Sequence, residues 1–223
     1  MVEYFNEYEQ GEAVKKWLKT NGGAIIMGLV IAFGGLFGFR QWQSWDENQR
    51  QRASAEFEVM SQLLSEQQLD SAMANYQTLK DEYPDSPYAS LAALQMARAR
   101  LEADQADLAL NLYRFVADNG TPQALQMVGI ERLARVLLDQ GEAEEAMAIL
   151  DASGDSTGFE ASFAEVRGDV YVALGRNSEA IASYQLALDS LEAGVGDRNY
   201  LELKLKSLGG IPTEVESEDG SQS

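Results

Sequence analysis

The apolar positions fall into two regimes along the chain. From Gly22 to Phe39 (GGAIIMGLVIAFGGLFGF) eighteen residues pass without a charged or strongly polar side chain. At about 1.5 Å per residue a helix of that length reaches roughly 27 Å, close to a hydrocarbon core. Ten of these residues are large and apolar: Ile25, Ile26, Met27, Leu29, Val30, Ile31, Phe33, Leu36, Phe37 and Phe39. Each favours insertion by about 0.3–0.6 kcal/mol, enough to outweigh six interspersed glycines. Lys15, Lys16 and Lys19 precede the stretch and Arg40 closes it, with Trp17, Trp42 and Trp45 at interface depth. A cleavable signal fits poorly, because its leader would carry Glu3, Glu7, Glu9 and Glu12 and no small-x-small site precedes Arg40. A buried core helix fits poorly too, since eighteen residues run without a polar face. The pattern predicts a transmembrane helix over 22–40. Its small residues Ala24, Gly28, Ala32 and Gly35, with the GxxxG pair Gly34 and Gly38, form a stripe for close helix packing. Residues 1–21 are a short head in which Glu12 to Lys19 is amphipathic and Asn21-Gly22 is a loosening point.

After a polar tether over 41–55, apolar residues recur at helical spacing and no β-type alternation appears. Gly141-Glu142-Ala143-Glu144-Glu145-Ala146-Met147-Ala148 aligns with Gly175-Arg176-Asn177-Ser178-Glu179-Ala180-Ile181-Ala182 at an offset of 34 residues, the tetratricopeptide period. The last copy is fullest: Gly168 and Tyr171 on a first helix, Gly175 at its end, then Ala180, Tyr184 and Ala187 on a second. Gly168 and Ala180 permit close packing, Tyr171 and Tyr184 fill the space between helices, and Gly175 suits a left-handed cap. Leu133, Ala134, Leu137, Ala146 and Leu150 mark the copy before it; Met96, Ala97, Ala109 and Tyr113 mark a second, and Met60, Leu63, Ala72, Tyr76, Leu79 and Pro84 a first. Ala72, Ala109, Ala146 and Ala180 are spaced 37, 37 and 34 apart, so longer turns are expected in the first two copies. The fold class is all-α: one N-terminal transmembrane helix, then a tetratricopeptide-like array of about four helix pairs over 56–208, closed by a helix at Tyr200 to Leu208. Residues 209–223 read as a disordered acidic tail.

Charge changes the picture of partners. The net charge is −19, and the whole surplus lies after Arg40. Such a surface repels nucleic acid and anionic lipid. With no Cys and no His, disulfides, thiolate zinc sites and imidazole-based catalysis are excluded. Phosphate-loop, dinucleotide and nucleophile-elbow motifs are absent. No enzyme activity, cofactor, metal or small-molecule substrate is expected. What an array of helix pairs offers is a groove lined by first helices, where Arg98, Glu131, Arg135, Glu165 and Asp169 are the candidate partner-binding residues. The alternative, that they are solvated helix faces, stays open at each position. Orientation by charge is a tie, Lys15, Lys16 and Lys19 facing Arg40, Arg50 and Arg52.

The chain resembles the YfgM family. The likeness is carried by Glu12-Ala13-Val14-Lys15-Lys16-Trp17, Asn21-Gly22, Gly38, Arg40, Trp42 and Ser44. Leu133-Ala134-Arg135-Val136, Arg167-Gly168 and the closing Leu203-Lys204-Leu205-Lys206-Ser207-Leu208 add to it. It covers nearly the whole chain to about residue 208. The resemblance implies a single-span protein of the bacterial inner membrane with a cytoplasmic N-terminus and a periplasmic tetratricopeptide-like domain. It also implies association with the SecYEG translocon and with PpiD, a membrane-anchored chaperone. A cytoplasmic-facing tetratricopeptide regulator is the alternative arrangement of the same elements.

Overall fold

The computed structural model describes residues 7–191 and 196–212, apart from the side chains of residues 7–10, Ala13 and Ile25. Most of the acidic tail, from Thr213 on, lies outside the described residues. Among them there are nine helices and no strand. The elements are α1 (Glu7–Ser65), α2 (Leu69–Glu82), α3 (Pro87–Glu102), α4 (Ala106–Asn119), α5 (Gln123–Asp139), α6 (Ala143–Ala152), α7 (Glu160–Ala173), α8 (Asn177–Asp189) and α9 (Arg198–Ser207). The chain divides into two units, Met1–Arg52 and Ala53–Ser223.

The first unit is the leading part of α1. Its large apolar side chains are bare, from Leu29 at 51% exposure to Phe37 at 73%. A Cβ added at Gly28, Gly34, Gly35 or Gly38 would meet nothing within 4 Å, so the small-residue stripe is unoccupied by protein. No single described helix is long and apolar enough to cross a membrane, but Val14–Ala24 and Ile26–Ser65, bent by 46°, reach that length and apolarity together. The span expected over 22–40 therefore straddles a bend. Thr20 Oγ1 and Asn21 Nδ2 donate to the carbonyls of Lys16 and Trp17, at 2.9 and 3.0 Å, just before Gly22-Gly23. Hydroxyl and amide side chains that bond back to the preceding turn favour such bends, and glycines resist them least.

The second unit is a stack of four antiparallel pairs: α3 with α4, α5 with α6 and α7 with α8, preceded by the end of α1 with α2, which Asn75 Nδ2 joins by donating to Glu56 at 2.8 Å. All four pairs turn in the same way. Gln67, Asp104, Gly141 and Gly175 hold φ of 60°, 58°, 84° and 69°. The next residue's N–H reaches back five positions, Gln68 to Leu63, Gln105 to Arg100, Glu142 to Leu137 and Arg176 to Tyr171, at 2.8–2.9 Å. This is the bond that satisfies an otherwise orphaned carbonyl at a helix end. The longer turns expected in the first two copies are not there. The three extra residues lie in the helices, 16 and 17 residues in α3 and α5 against 14 in α7, and 14 in α2 and α4 against 10 in α6. Two of the turns also lack the glycine that the last two use, so they were not visible as turns.

Packing begins at Ala53. One core runs from Ala53 and Met60 through Leu79, Met96, Val116, Leu133 and Leu150 to Phe163 and Val170. A second joins Ala164, Ala180, Tyr184, Ala187 and Leu188 to Leu201 and Leu205 of α9. Burying each of those two leucines contributes about 2 kcal/mol toward docking α9. Asp197 caps α9, accepting from Tyr200 N at 3.0 Å, and Ser86 caps α3 ahead of Pro87. The tightest helix crossings use Gly129, whose added Cβ would come 2.8 Å from Val116 and Ala117, and Gly168, whose added Cβ would run into the Tyr184 ring.

Gly168→Ala is therefore expected to destabilise the second unit by about 1–3 kcal/mol through overpacking. Urea unfolding of the detergent-solubilised chain, followed by circular dichroism, measures it. A change below about 0.5 kcal/mol would mean that Tyr184 does not cover Gly168.

Candidate functional site

The first helices α3, α5 and α7 pack side by side, so their side chains at i and i+4 share a face. α5 contributes Glu131 and Arg135, and α7 contributes Glu165 and Asp169. The structure brings these four together. Arg135 Nε donates to Glu131 at 3.1 Å, Nη2 donates to Glu165 at 3.4 Å, and Nη1 lies 3.9 Å from Asp169. Arg98, the fifth expected residue, stands apart on α3. It is exposed and donates to Glu102 one turn along at 2.8 Å.

A residue outside the five candidates, on the closing helix, completes the cluster. Lys204 of α9 donates to Glu165 and to both oxygens of Asp169, each at 2.8 Å. Its ammonium also sits 4.7 Å from the Tyr200 ring centroid. Tyr184 OH of α8 donates to Asp169 at 2.7 Å. A signal for Lys204 was present. Leu201, Lys204, Leu205 and Leu208 fall at i, i+3, i+4 and i+7, which places a lysine on the buried stripe of α9, where it requires an acceptor.

The side chains of Glu131, Glu165, Asp169 and Lys204 retain only 13–21% exposure. Burial pulls the Lys204 ammonium down, but its bonds to Asp169 and Glu165 outweigh burial and hold it above the usual lysine value. Burial likewise opposes the Arg135 charge, and Glu131, Glu165 and Asp169 more than offset it. Burial first, then the bond to Asp169, pushes the Tyr184 phenol far up, so it stays protonated. Three carboxylates against two cations leave the cluster one charge negative. It ties α9 to α7, and α7 in turn to α5 and α8, and its polar atoms are turned to one another.

Beside this cluster a cavity of about 340 Å³ opens, lined by Glu131, Phe159, Glu160, Glu165, Asp197 and Leu201 among others. Its lining joins four carboxylates to the aromatic and aliphatic carbon of Phe159 and Leu201. Among the described residues no group of His, Cys, Asp or Glu is arranged to hold a metal ion.

Known proteins place this architecture. Residues 15–210 match the family model described as a tetratricopeptide repeat-like domain. The chain is 30% identical over 216 residues to the ancillary SecYEG translocon subunit of Neisseria gonorrhoeae (strain ATCC 700825 / FA 1090), covering 93% of this chain and all of that protein. It is 30% identical over 210 residues to the protein of the same name from Aggregatibacter actinomycetemcomitans, with 93% and 100% covered. Against that of Escherichia coli (strain K12) the figures are 27% over 188 residues, with 84% and 89% covered. The chain is thus a tetratricopeptide-like protein. Within that class it belongs to the family of ancillary SecYEG translocon subunits, the YfgM family that its residues resemble.

The ion-pair cluster has a pH signature. Lys204, Arg135 and Tyr184 all have folded-state values above their ordinary ones. Their contribution is complete at neutral pH and is lost as pH rises past the ordinary tyrosine and lysine values, about 10. The urea midpoint is expected to stay flat from pH 7 to 9 and to fall above about pH 10. Lys204→Met, which strands Glu165 beside Asp169, should lower stability at pH 7 by about 1–3 kcal/mol and make the alkaline fall shallower. A midpoint that holds to pH 11 in the unaltered chain would contradict the arrangement.

Proposed function

We propose that this protein is a membrane-tethered scaffold of the protein-export machinery, bound to the SecYEG translocon of the inner membrane through its N-terminal span. The observation that carries the reading is family membership across 93% of the chain. The bare apolar surface between Ile26 and Phe39 supports it. That surface has no protein cover and suits a bilayer or a neighbouring helix, and the glycine stripe lets a translocon helix approach closely.

In this reading the head is cytoplasmic and the array is periplasmic. The face of α5 and α7 receives a membrane-anchored chaperone of the PpiD type or an emerging chain. The acidic cavity beside Phe159 favours a segment carrying a cation next to apolar residues. No covalent chemistry is involved. Tethering supplies effective concentration, so weak contacts at the array suffice.

Two measurements test this. Purification of the tagged full chain in mild detergent should recover translocon subunits, and a periplasm-dependent reporter fused after Ser223 should be active. A reporter active only in the cytoplasm would reverse the topology, and repeated purification without translocon subunits would remove the assignment to export.

A further inference from the structure

The one charged side chain among the described residues that is more than nine-tenths buried is Arg100 of α3, at 7% exposure. Its one ion-pair partner is distant and solvated. Nη1 donates to the uncharged amide oxygen of Gln105 at 2.7 Å. Nη2 lies 3.7 Å from Asp70, too far for a hydrogen bond, and the Asp70 carboxylate is fully in solvent. Nε is buried with no acceptor in the protein. A buried guanidinium left in this condition is costly. Arg100 also breaks the repeat. Its carbonyl accepts the bond that closes the turn, and the residues doing so in the other pairs are Leu63, Leu137 and Tyr171. An apolar residue at that place would serve the turn equally well, so the turn does not explain the charge.

The guanidinium sits at a cavity of about 420 Å³ that Arg100, Asp70 and Gln105 line together with Gln68, Leu69 and Ser71. The same cavity receives the start of α2. That helix begins without a side-chain cap, because Gln68 makes no capping bond and its amide turns to Glu66 at 2.9 Å. The first-turn N–H groups of Leu69, Asp70 and Ser71 therefore lack acceptors along the helix, and the positive end of the helix dipole faces the same space.

We propose that this cavity, between the turns of the first and second helix pairs, is an oxyanion site that takes a carboxylate or phosphate group on Arg100 and the first turn of α2. Two independent sources of positive potential converge there, one of them a buried planar fork suited to two parallel bonds with an oxyanion. The volume far exceeds that of one small ion, so the group is carried on a larger body or enters with water. Asp70 is the internal competitor at the rim. The site is separate from the α5, α7 and α9 cluster and does not depend on the scaffold reading.

The test uses the full chain in detergent micelles, titrated at constant ionic strength with inorganic phosphate and with an N-acetylated tripeptide as free acid or as amide. Backbone amide shifts of Leu69 to Ser71 and the Arg100 Nε resonance report binding. The expected result is a saturable shift with phosphate and free acid but not with the amide. Asp70→Asn should tighten binding several-fold, and Arg100→Gln, folded by circular dichroism, should weaken it at least about tenfold. If Arg100→Gln does not fold, Arg100→Lys keeps the charge without the fork and should weaken binding at least about threefold. Phosphate binding more tightly than the free acid identifies a free anion as the source, and the reverse identifies a polypeptide terminus; either supports the site. No saturable shift, equal binding of acid and amide, or undiminished binding in the Arg100 variants would overturn it.

Discussion

The array depends on one local constraint: a left-handed residue at the end of each first helix, followed by an N–H that reaches back five positions. Gln67, Asp104, Gly141 and Gly175 take that conformation, and the four closing bonds agree to within 0.1 Å. The turn fixes how the second helix leaves the first, and so which faces meet the next pair. No pair buries its apolar face alone; burial comes from stacking. Copying one turn four times keeps the faces in register from Ala53 to Val170, although the helices differ in length. Two of the turns use non-glycine residues, at a cost of about 1 kcal/mol each, and packing carries it.

Much of this was legible in the sequence because its cause is local. The alanines at 72, 109, 146 and 180 are core positions, and all four are fully buried. Gly168 sits under Tyr184, as its place in the repeat implied. What escaped was non-local. Gln67 and Asp104 carry no turn signature, so the 37-residue spacing points to longer turns although the extra residues reside in the helices. Glu131, Arg135, Glu165 and Asp169 share a face by their spacing; that α9 would return to it and pair Lys204 with Glu165 and Asp169 depends on tertiary docking. Arg98 has the same repeat position and charge as Arg135, but no facing carboxylate from the next pair pulls it in.

The two units place opposite demands on their surroundings. The apolar stretch of α1 needs hydrocarbon or a protein groove, whereas the array carries the full surplus of negative charge and is repelled by anionic headgroups. In the proposed scaffold the first property holds the chain at the bilayer and the second keeps its repeats in water, available to other proteins. That division of labour agrees with a family whose members are named ancillary SecYEG translocon subunits.

The most direct test of a tethered export scaffold is site-specific photocrosslinking from within the apolar stretch. A photoreactive side chain at Phe33 or Phe37, activated in intact membranes, should yield an adduct with a translocon subunit, while the same group on the exposed face of α8 at Leu186 should not. Recovery of the protein in the soluble fraction, with no membrane-protein adduct from either position in α1, would contradict the account.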